Sequence, residues 1–398
     1  MSLSGTRTNL LRTRTGAENS RVTFVELFFD LVFVFAITQI SHFLLEHFSV
    51  IGVLHAALMF FAVWWCWINT SWVTNWLDPD TTPVRLMLFG LMLAGLLMAT
   101  SLPEAFEWRG LVFALAYVGA QVGRSLFMLW ALHGHNTVNF RNFQRITVWL
   151  CTSAIFWIAG GFAGAELRFA LWAIAIAIEF SGPASGFWTP GLGQSATKDW
   201  DVSGDHLAER CGLFVIIALG ESILVTGATF EKLVWTLPVA AAFVVAFIGS
   251  VAMWWIYFNI GAERGRHRIA DAADPGRYAR IVYTYVHMLP IAGIIVAAVS
   301  DELILAHPGG HTDFKTVATT IGGAGLFLIG NILFKRIMTG RPALSHWIGL
   351  VLLAVLTMLS GLMPPLALGA CTNAILVIVA IWETRSFASG PTFEHSPS

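Results

Sequence analysis

Long apolar runs, separated by short polar, Pro or Gly breaks, recur along the whole chain. A helix needs about 20 predominantly apolar residues to cross hydrocarbon. Twelve runs meet that length, beginning near Phe24, Ile51, Val84, Gly110, Phe143, Leu167, His206, Val234, Tyr278, Thr316, Ala343 and Leu366. At that length they use about 240 residues, which leaves short loops and no room for a sizeable soluble domain. The pattern predicts an all-α polytopic membrane protein with twelve transmembrane helices.

Composition agrees. Of 398 residues, 56% are hydrophobic and 12% charged, and the mean hydropathy is +0.70; a soluble domain is roughly a quarter charged. An ordinary soluble enzyme and a disordered chain are both excluded. The formal net charge of -1 offers no basic field for nucleic acid, so none is expected as a partner. Cys66, Cys151, Cys211 and Cys371 each sit alone in apolar sequence and read as small buried hydrophobes rather than metal or redox groups. No motif calls for a cofactor. The first residues, MSLSGTRTNLLRTRTGAENSR, hold no apolar core of their own and lack the shape of a cleaved signal peptide.

Lys and Arg distribute unevenly between alternate loops. Arg109, Arg168, Lys232 and Lys315 fall on one side and Arg124 inside a span, whereas the rest, among them Arg7, Arg12, Arg14, Arg21, Lys198, Arg264, Arg266, Arg268, Lys335 and Arg341, fall on the other. By the positive-inside rule both termini are cytoplasmic.

The second half echoes the first. Trp64–Asn69 reads WWCWIN and Trp254–Asn259 reads WWIYFN; Ala94–Ala99 reads AGLLMA and Ala292–Ala297 reads AGIIVA. Gly119 with Arg124 corresponds to Gly330 with Lys335, and Glu179 to Glu383. The matches keep their order through successive spans, which points to two parallel six-helix repeats. The expected organisation is a cytoplasmic tail at 1–23, a first repeat at 24–184, a linker at 185–205, a second repeat at 206–385 and a cytoplasmic tail at 386–398.

Ionisable residues inside spans are functional candidates by default. Glu26 and Asp30 are four apart on one helix face. Carboxylates that close disfavour joint ionisation, so one holds a proton or both meet a cation; the alternative is ion pairing, with Arg124 or Arg21 nearest in the predicted layout. Asn69, Arg124 and Glu179 come late in their spans, Asn259, Lys335 and Glu383 repeat the pattern, and Glu209 and Arg210 join them. Such a polar layer is either a gate or ion site, or interhelical glue. Glu221 follows Glu209 by 12 residues, about 18 Å of helix rise, which carries it past the midplane as a proton carrier or cation ligand, or as a neutral acid bonded to a carbonyl. His42, His55 and His287 are possible proton-relay groups. Trp64, Trp65, Trp67, Trp72 and Trp76 read first as an interfacial aromatic belt and second as a stacking surface for a flat lipid.

VELFFDLVFVFA at Val25–Ala36, with ERCGLFVIIALGES at Glu209–Ser222, resembles the bacterial low temperature requirement A (LtrA) proteins from about Arg21 to Arg385. The matching positions are Glu26, Phe29, Asp30, Glu209, Arg210, Gly220 and Glu221. The resemblance implies a multi-pass bacterial plasma-membrane protein, linked by name to growth in the cold, and carries no biochemical activity. More loosely, Phe29–Thr38 is similar to the F-S-D-G-V-F-A-I opening of TMEM-type potassium channels, which have two six-helix repeats; Leu31 stands where those have glycine, and span seven has no such motif.

Duplicated halves with intramembrane carboxylates favour a proton- or cation-coupled transporter. The rivals are an ion channel, an intramembrane enzyme acting on a lipid through His287, Glu221 or His42 and His55, and a non-catalytic membrane sensor or assembly factor. The expected partners are membrane lipids and a small molecule or ion.

Overall fold

The computed structural model describes residues 9–12, 21–197, 200, 202–259, 274–340 and 343–388. Arg7, Arg14, Lys198, Arg264, Arg266, Arg268 and Arg341 lie outside the described residues, as do parts of the linker and of both tails. Twelve helices among the described residues are long and apolar enough to cross a membrane. They are α1 (Phe24–Glu46), α2 (Val50–Trp76), α3 (Thr82–Ser101), α4 (Gly110–Leu132), α5 (Thr137–Phe162), α6 (Ala165–Ala184), α7 (Gly204–Lys232), α8 (Leu237–Phe258), α9 (Gly276–Ala306), α10 (Phe314–Thr339), α11 (Leu344–Leu359) and α12 (Pro365–Ala388). The chain is an all-α, multi-pass membrane protein.

Helix ends follow local capping chemistry more closely than hydropathy. α5 starts at Thr137, ahead of the expected Phe143, because the Asn136 side chain accepts the Asn139 N–H at 3.0 Å. The polar residues of its first turns are turned inward: Asn139, Asn142 and Arg145 are buried, and Arg145 donates to Leu192 O. α8 starts at Leu237, beyond the expected Val234, since Thr236 accepts from Val239 N–H and Pro238 occupies the first turn. Arg168, placed by sequence in a loop, is buried in α6 and donates to Ala105 O, Gly160 O and Ala163 O. It gathers the carbonyls that the turns around it leave open.

The described residues divide into two compact units, one within 1–217 and 274–285 and the other within 218–259 and 286–388. In the first, α2 packs on α1, α4 and α6, and the remaining neighbours are α1 with α3, α3 with α4, α4 with α5 and α5 with α6. A helix with neighbours on several sides must be apolar nearly all round, which is why the tryptophans of α2 belong to the core. Trp64, Trp65 and Trp67 are 0–2% exposed, and Trp72 and Trp76 below a tenth. The aromatic-belt expectation is overturned. These indoles face protein, and three donate their N–H internally, Trp64 to Thr284 O, Trp67 to Asp30 and Trp72 to the Thr284 hydroxyl. Thr284 sits in a π-helical turn, Arg280–Val286, a distortion that arises where an outside group intrudes on the backbone ladder.

In the second unit α9 packs on α10, α10 on α11 and α12, α11 on α12, and α8 on α12 and α9. The α9–α10 contact is a backbone approach. A Cβ on Gly293 would stand 2.5 Å from Phe327 N, and one on Gly323 2.7 Å from Ala297 N. Small residues are the usual means of close helix approach in lipid. Gly293→Ala should therefore lower stability by about 1–3 kcal/mol through overpacking, read as a lower unfolding midpoint of the detergent-purified protein; an unchanged midpoint would refute the contact.

Large apolar side chains left outside form stripes at helical spacing, such as Leu86, Phe89, Leu93 and Leu97 on α3 and Val351, Val355 and Met358 on α11. These are the faces that lipid covers.

Candidate functional site

The first unit holds a buried charge network built on three helices. Glu26, at the third residue of α1, is fully buried. Its Oε2 accepts from the Thr23 backbone N–H at 2.9 Å, the Thr23 hydroxyl at 3.0 Å and Arg12 Nη2 at 3.0 Å. Arg12 comes from the tail, where residues 10–12 run alongside the end of α2: Arg12 N–H donates to Trp76 O and Asp78 N–H to Leu10 O. Its Nε donates to Thr74 O and Leu77 O.

On the other oxygen, Glu26 Oε1 meets His206 Nε2 at 2.9 Å. The tautomer follows from the neighbours. Asn75 Oδ1 accepts Ser203 N–H at 3.0 Å and its Nδ2 donates to Ser203 O at 2.8 Å, which fixes the amide's orientation. The same Nδ2 lies 3.3 Å from His206 Nδ1. Nδ1 is therefore the acceptor, and Nε2 carries the hydrogen given to Glu26.

One turn along α1, Asp30 Oδ1 accepts from Arg210 Nη2 at 2.8 Å and Trp67 Nε1 at 2.7 Å. Arg210 also reaches the Ser71 hydroxyl at 3.3 Å and lies over the Phe29 and Trp67 rings. Asp30 and Arg210 are both 0–1% exposed. Two polar atoms of this pair, Asp30 Oδ2 and Arg210 Nη1, are buried without a hydrogen-bond partner, an arrangement that costs free energy and calls for an explanation. The expected pairing of the two acids with Arg124 or Arg21 is corrected: the arginines that meet them are Arg12 and Arg210.

α2 separates this network from a cavity. Trp67, Ser71 and Asn75, spaced by four, face the charges, whereas Trp65, Asn69, Trp72 and Trp76 line the cavity on another face. The cavity measures about 50 Å3 and is completed by Phe143, Phe187, Trp200 and the polar groups of Arg124, Asn142 and Arg280. Both charged residues lining it are arginines. Asn142 is 3% exposed and its Oδ1 has no hydrogen-bond partner. Asn69 donates to Trp65 O within its own helix.

Arg124 is buried and donates to Cys66 O, the Thr70 hydroxyl and Gln121 Oε1. Gln121 passes the contact on, its Nε2 lying 3.1 Å from Glu179 Oε2. Glu179 receives three further neutral donors, Tyr117 O–H at 2.6 Å, Ser153 O–H at 2.7 Å and Trp157 N–H at 2.9 Å. Glu209 is half-buried and accepts weakly from Val22 N–H at 3.4 Å. His42 is exposed, and His55 stacks on Phe106 with centroids 3.6 Å apart.

In the second unit Lys335 pairs with Glu383 and also meets His346 Nε2. Asn259 donates to the Thr384 hydroxyl at 2.7 Å. His287 is buried against the Tyr257 hydroxyl at 2.7 Å, and Glu221 is 2% exposed. Sequence reasoning missed Arg12, Asn75, Asn142 and His206. Of these only His206 carried a signal, as the first polar residue of the run that contains Glu209 and Arg210.

The family model of the bacterial low temperature requirement A protein matches residues 21–381. An uncharacterized protein of Rhizobium meliloti (strain 1021) is 42% identical over 383 residues, covering 96% of this chain and 93% of that one. No solved structure matches the chain. A match running from the tail before α1 almost to the end of α12, taking in both Asp30 and Arg210, makes the chain a member of the bacterial LtrA family.

Proposed function

We propose that this LtrA protein is a proton- or cation-coupled transporter of a small anionic solute, seated in the bacterial plasma membrane with both termini cytoplasmic. The observation that carries the reading is the Asp30–Arg210 pair, buried in the bundle with an acceptor and a donor left open. A fixed structural pair gains nothing from open valences, because unsatisfied polar groups in a low-dielectric bundle are costly. A pair that exchanges a proton, an ion or a water during a cycle needs them.

The cavity across α2 is the substrate site in this reading. Arg124 and Arg280 set its charge, Asn142 Oδ1 offers an acceptor, and the tryptophans exclude water. α2 connects the two sites directly, since Ser71 touches Arg210 and the next residue, Trp72, lines the cavity. Charge movement at Asp30 is thereby felt at the substrate.

The six-plus-six duplication is part of the proposal and has support from packing. Contacts of α2 with α6, α3 with α4, α4 with α5 and α5 with α6 recur as α8 with α12, α9 with α10, α10 with α11 and α11 with α12. In each half a base on the fourth helix is linked to an acid on the sixth, Arg124 to Glu179 through Gln121 and Lys335 to Glu383 directly. Alternating access by two such halves is a general transporter design.

The test is solid-supported-membrane electrophysiology on proteoliposomes under proton, Na+ and K+ gradients. Wild type should give a current with at least one gradient, and Asp30→Asn, provided that it elutes as a monodisperse species, should lose it. Silence of the folded wild type under every gradient, or an undiminished current in Asp30→Asn, would overturn the proposal.

A further inference from the structure

Asp301 has no role in the network described above, yet it lines a cavity of the second unit together with four other residues bearing side-chain oxygen. It is half-buried, five residues before the end of α9. Among the described residues it forms no ion pair; the Ser222 hydroxyl lies 3.3 Å from its Oδ2, and Ser222 in turn meets Ser250 at 3.3 Å. A carboxyl buried in a span without a basic partner is either protonated or balanced by a bound cation.

Beside it lies a cavity of about 20 Å3. One water-sized occupant needs roughly 10–15 Å3, so the space admits one small particle and little else. Its polar lining is Ser300, Asp301, Thr320, Thr372 and Asn373. The Ser300 and Thr320 hydroxyls share a hydrogen bond of 2.5 Å, and Asn373 gives its Nδ2 to Val245 O at 2.8 Å, which leaves Oδ1 as its open atom. Thr372 is 2% exposed, and its hydroxyl is buried without a hydrogen-bond partner. A buried hydroxyl without a partner, on a residue of the cavity wall, calls for a group that would satisfy it.

The donor set identifies the occupant's class. One carboxylate oxygen pair, hydroxyls and an amide carbonyl form an oxygen-only environment suited to a hard cation. Among the described residues no three His, Cys, Asp or Glu side chains are grouped to hold a metal ion. A single carboxylate neutralises a single positive charge, and a divalent ion would leave net charge in a medium where that is expensive.

We infer that Asp301, Ser300, Thr320, Thr372 and Asn373 form a binding site for one Na+ ion. The site stands on its own geometry. The additional statement that Na+ is the coupling ion rests on the transport reading above.

Full-length protein in nanodiscs is titrated with NaCl, KCl or choline chloride at constant ionic strength, following the thermal unfolding midpoint and the 23Na NMR line width. Na+ should raise the midpoint saturably over choline and over K+, and broaden the 23Na line. Asp301→Asn should abolish both effects. Thr372→Val should weaken apparent Na+ affinity by about tenfold, the scale of one lost hydrogen-bond-strength contact, whereas Thr372→Ser, which keeps the hydroxyl, should bind as wild type does. Equal responses to Na+, K+ and choline, or a Thr372→Val variant that titrates like wild type, would overturn the site. If Asp301→Asn fails to fold, the Thr372 pair still decides. Proteoliposome flux separates the two ideas: Na+ binding without any flux keeps the site and removes the transporter, and flux without Na+ binding does the reverse.

Discussion

Arg210→Leu is expected to destabilise the protein by about 3–5 kcal/mol, the usual cost of stranding one member of a buried ion pair. Asp30 would keep only the Trp67 N–H as a donor, and its second oxygen is already unpartnered. The guanidinium over the Phe29 and Trp67 rings would give way to an alkyl group that cannot offset the carboxylate's charge. Thermal unfolding of the purified protein in one detergent measures the effect. The informative companion is Asp30→Leu with Arg210→Leu. Removing both charges spares the desolvation penalty, so the double variant should be more stable than Arg210→Leu alone, a non-additivity typical of direct partners. If the two changes add independently, the pair is not the element holding α1 to α7. The double variant also separates stability from function: on the proposed reading it folds and carries no current.

Part of this site was open to inspection in the sequence, and part was hidden for definite reasons. Glu26 and Asp30 are recognisable because four-residue spacing on an apolar helix forces both to one face, and both are indeed buried. Their partners could not be found by proximity in a layout of spans. Arg12 lies in a tail with no apolar period, and it reaches Glu26 only because residues 10–12 hydrogen-bond along the end of α2. Hydropathy has no access to such backbone pairing.

The tryptophans of α2 failed for a different reason. Trp near a span end is equally at home in a membrane interface and in a crowded core; the choice depends on how many neighbours the helix has, and α2 packs against α1, α4 and α6. Asp301 was overlooked because Asp301 and Glu302, followed by a His-Pro-Gly-Gly break at 307–310, look like the membrane edge. What sets Asp301 apart is its facing of Ser222, a residue of another helix, which one-dimensional pattern cannot express. The twelve helices themselves were legible, since length and hydropathy are properties of each segment alone.

Glu179→Leu should cost about 2–6 kcal/mol, because two donors, Trp157 N–H and Tyr117 O–H, would be orphaned in the core at roughly 1–3 kcal/mol each. Ser153 escapes, having Leu150 O at 3.0 Å as an alternative acceptor, and Gln121 keeps the Tyr117 oxygen at 2.9 Å. Glu179→Gln tests the same cluster more gently. Oε1 serves Ser153 and Trp157 while Oε2 serves Tyr117 and Gln121. The glutamine amide must turn its NH2 toward the second pair, since an indole N–H cannot accept and a phenol oxygen can. The Gln121 bond is then lost and the Tyr117 O–H, its oxygen now accepting, has no acceptor left, whereas the Trp157 N–H keeps one; the cost is about 1–3 kcal/mol. The expected order of unfolding midpoints is wild type, then Glu179→Gln, then Glu179→Leu, in which the Trp157 N–H is orphaned as well. Equal midpoints for the two variants would mean that the acid holds its neighbours by charge alone. The predicted order would mean that it acts as an acceptor hub for Trp157 and Tyr117.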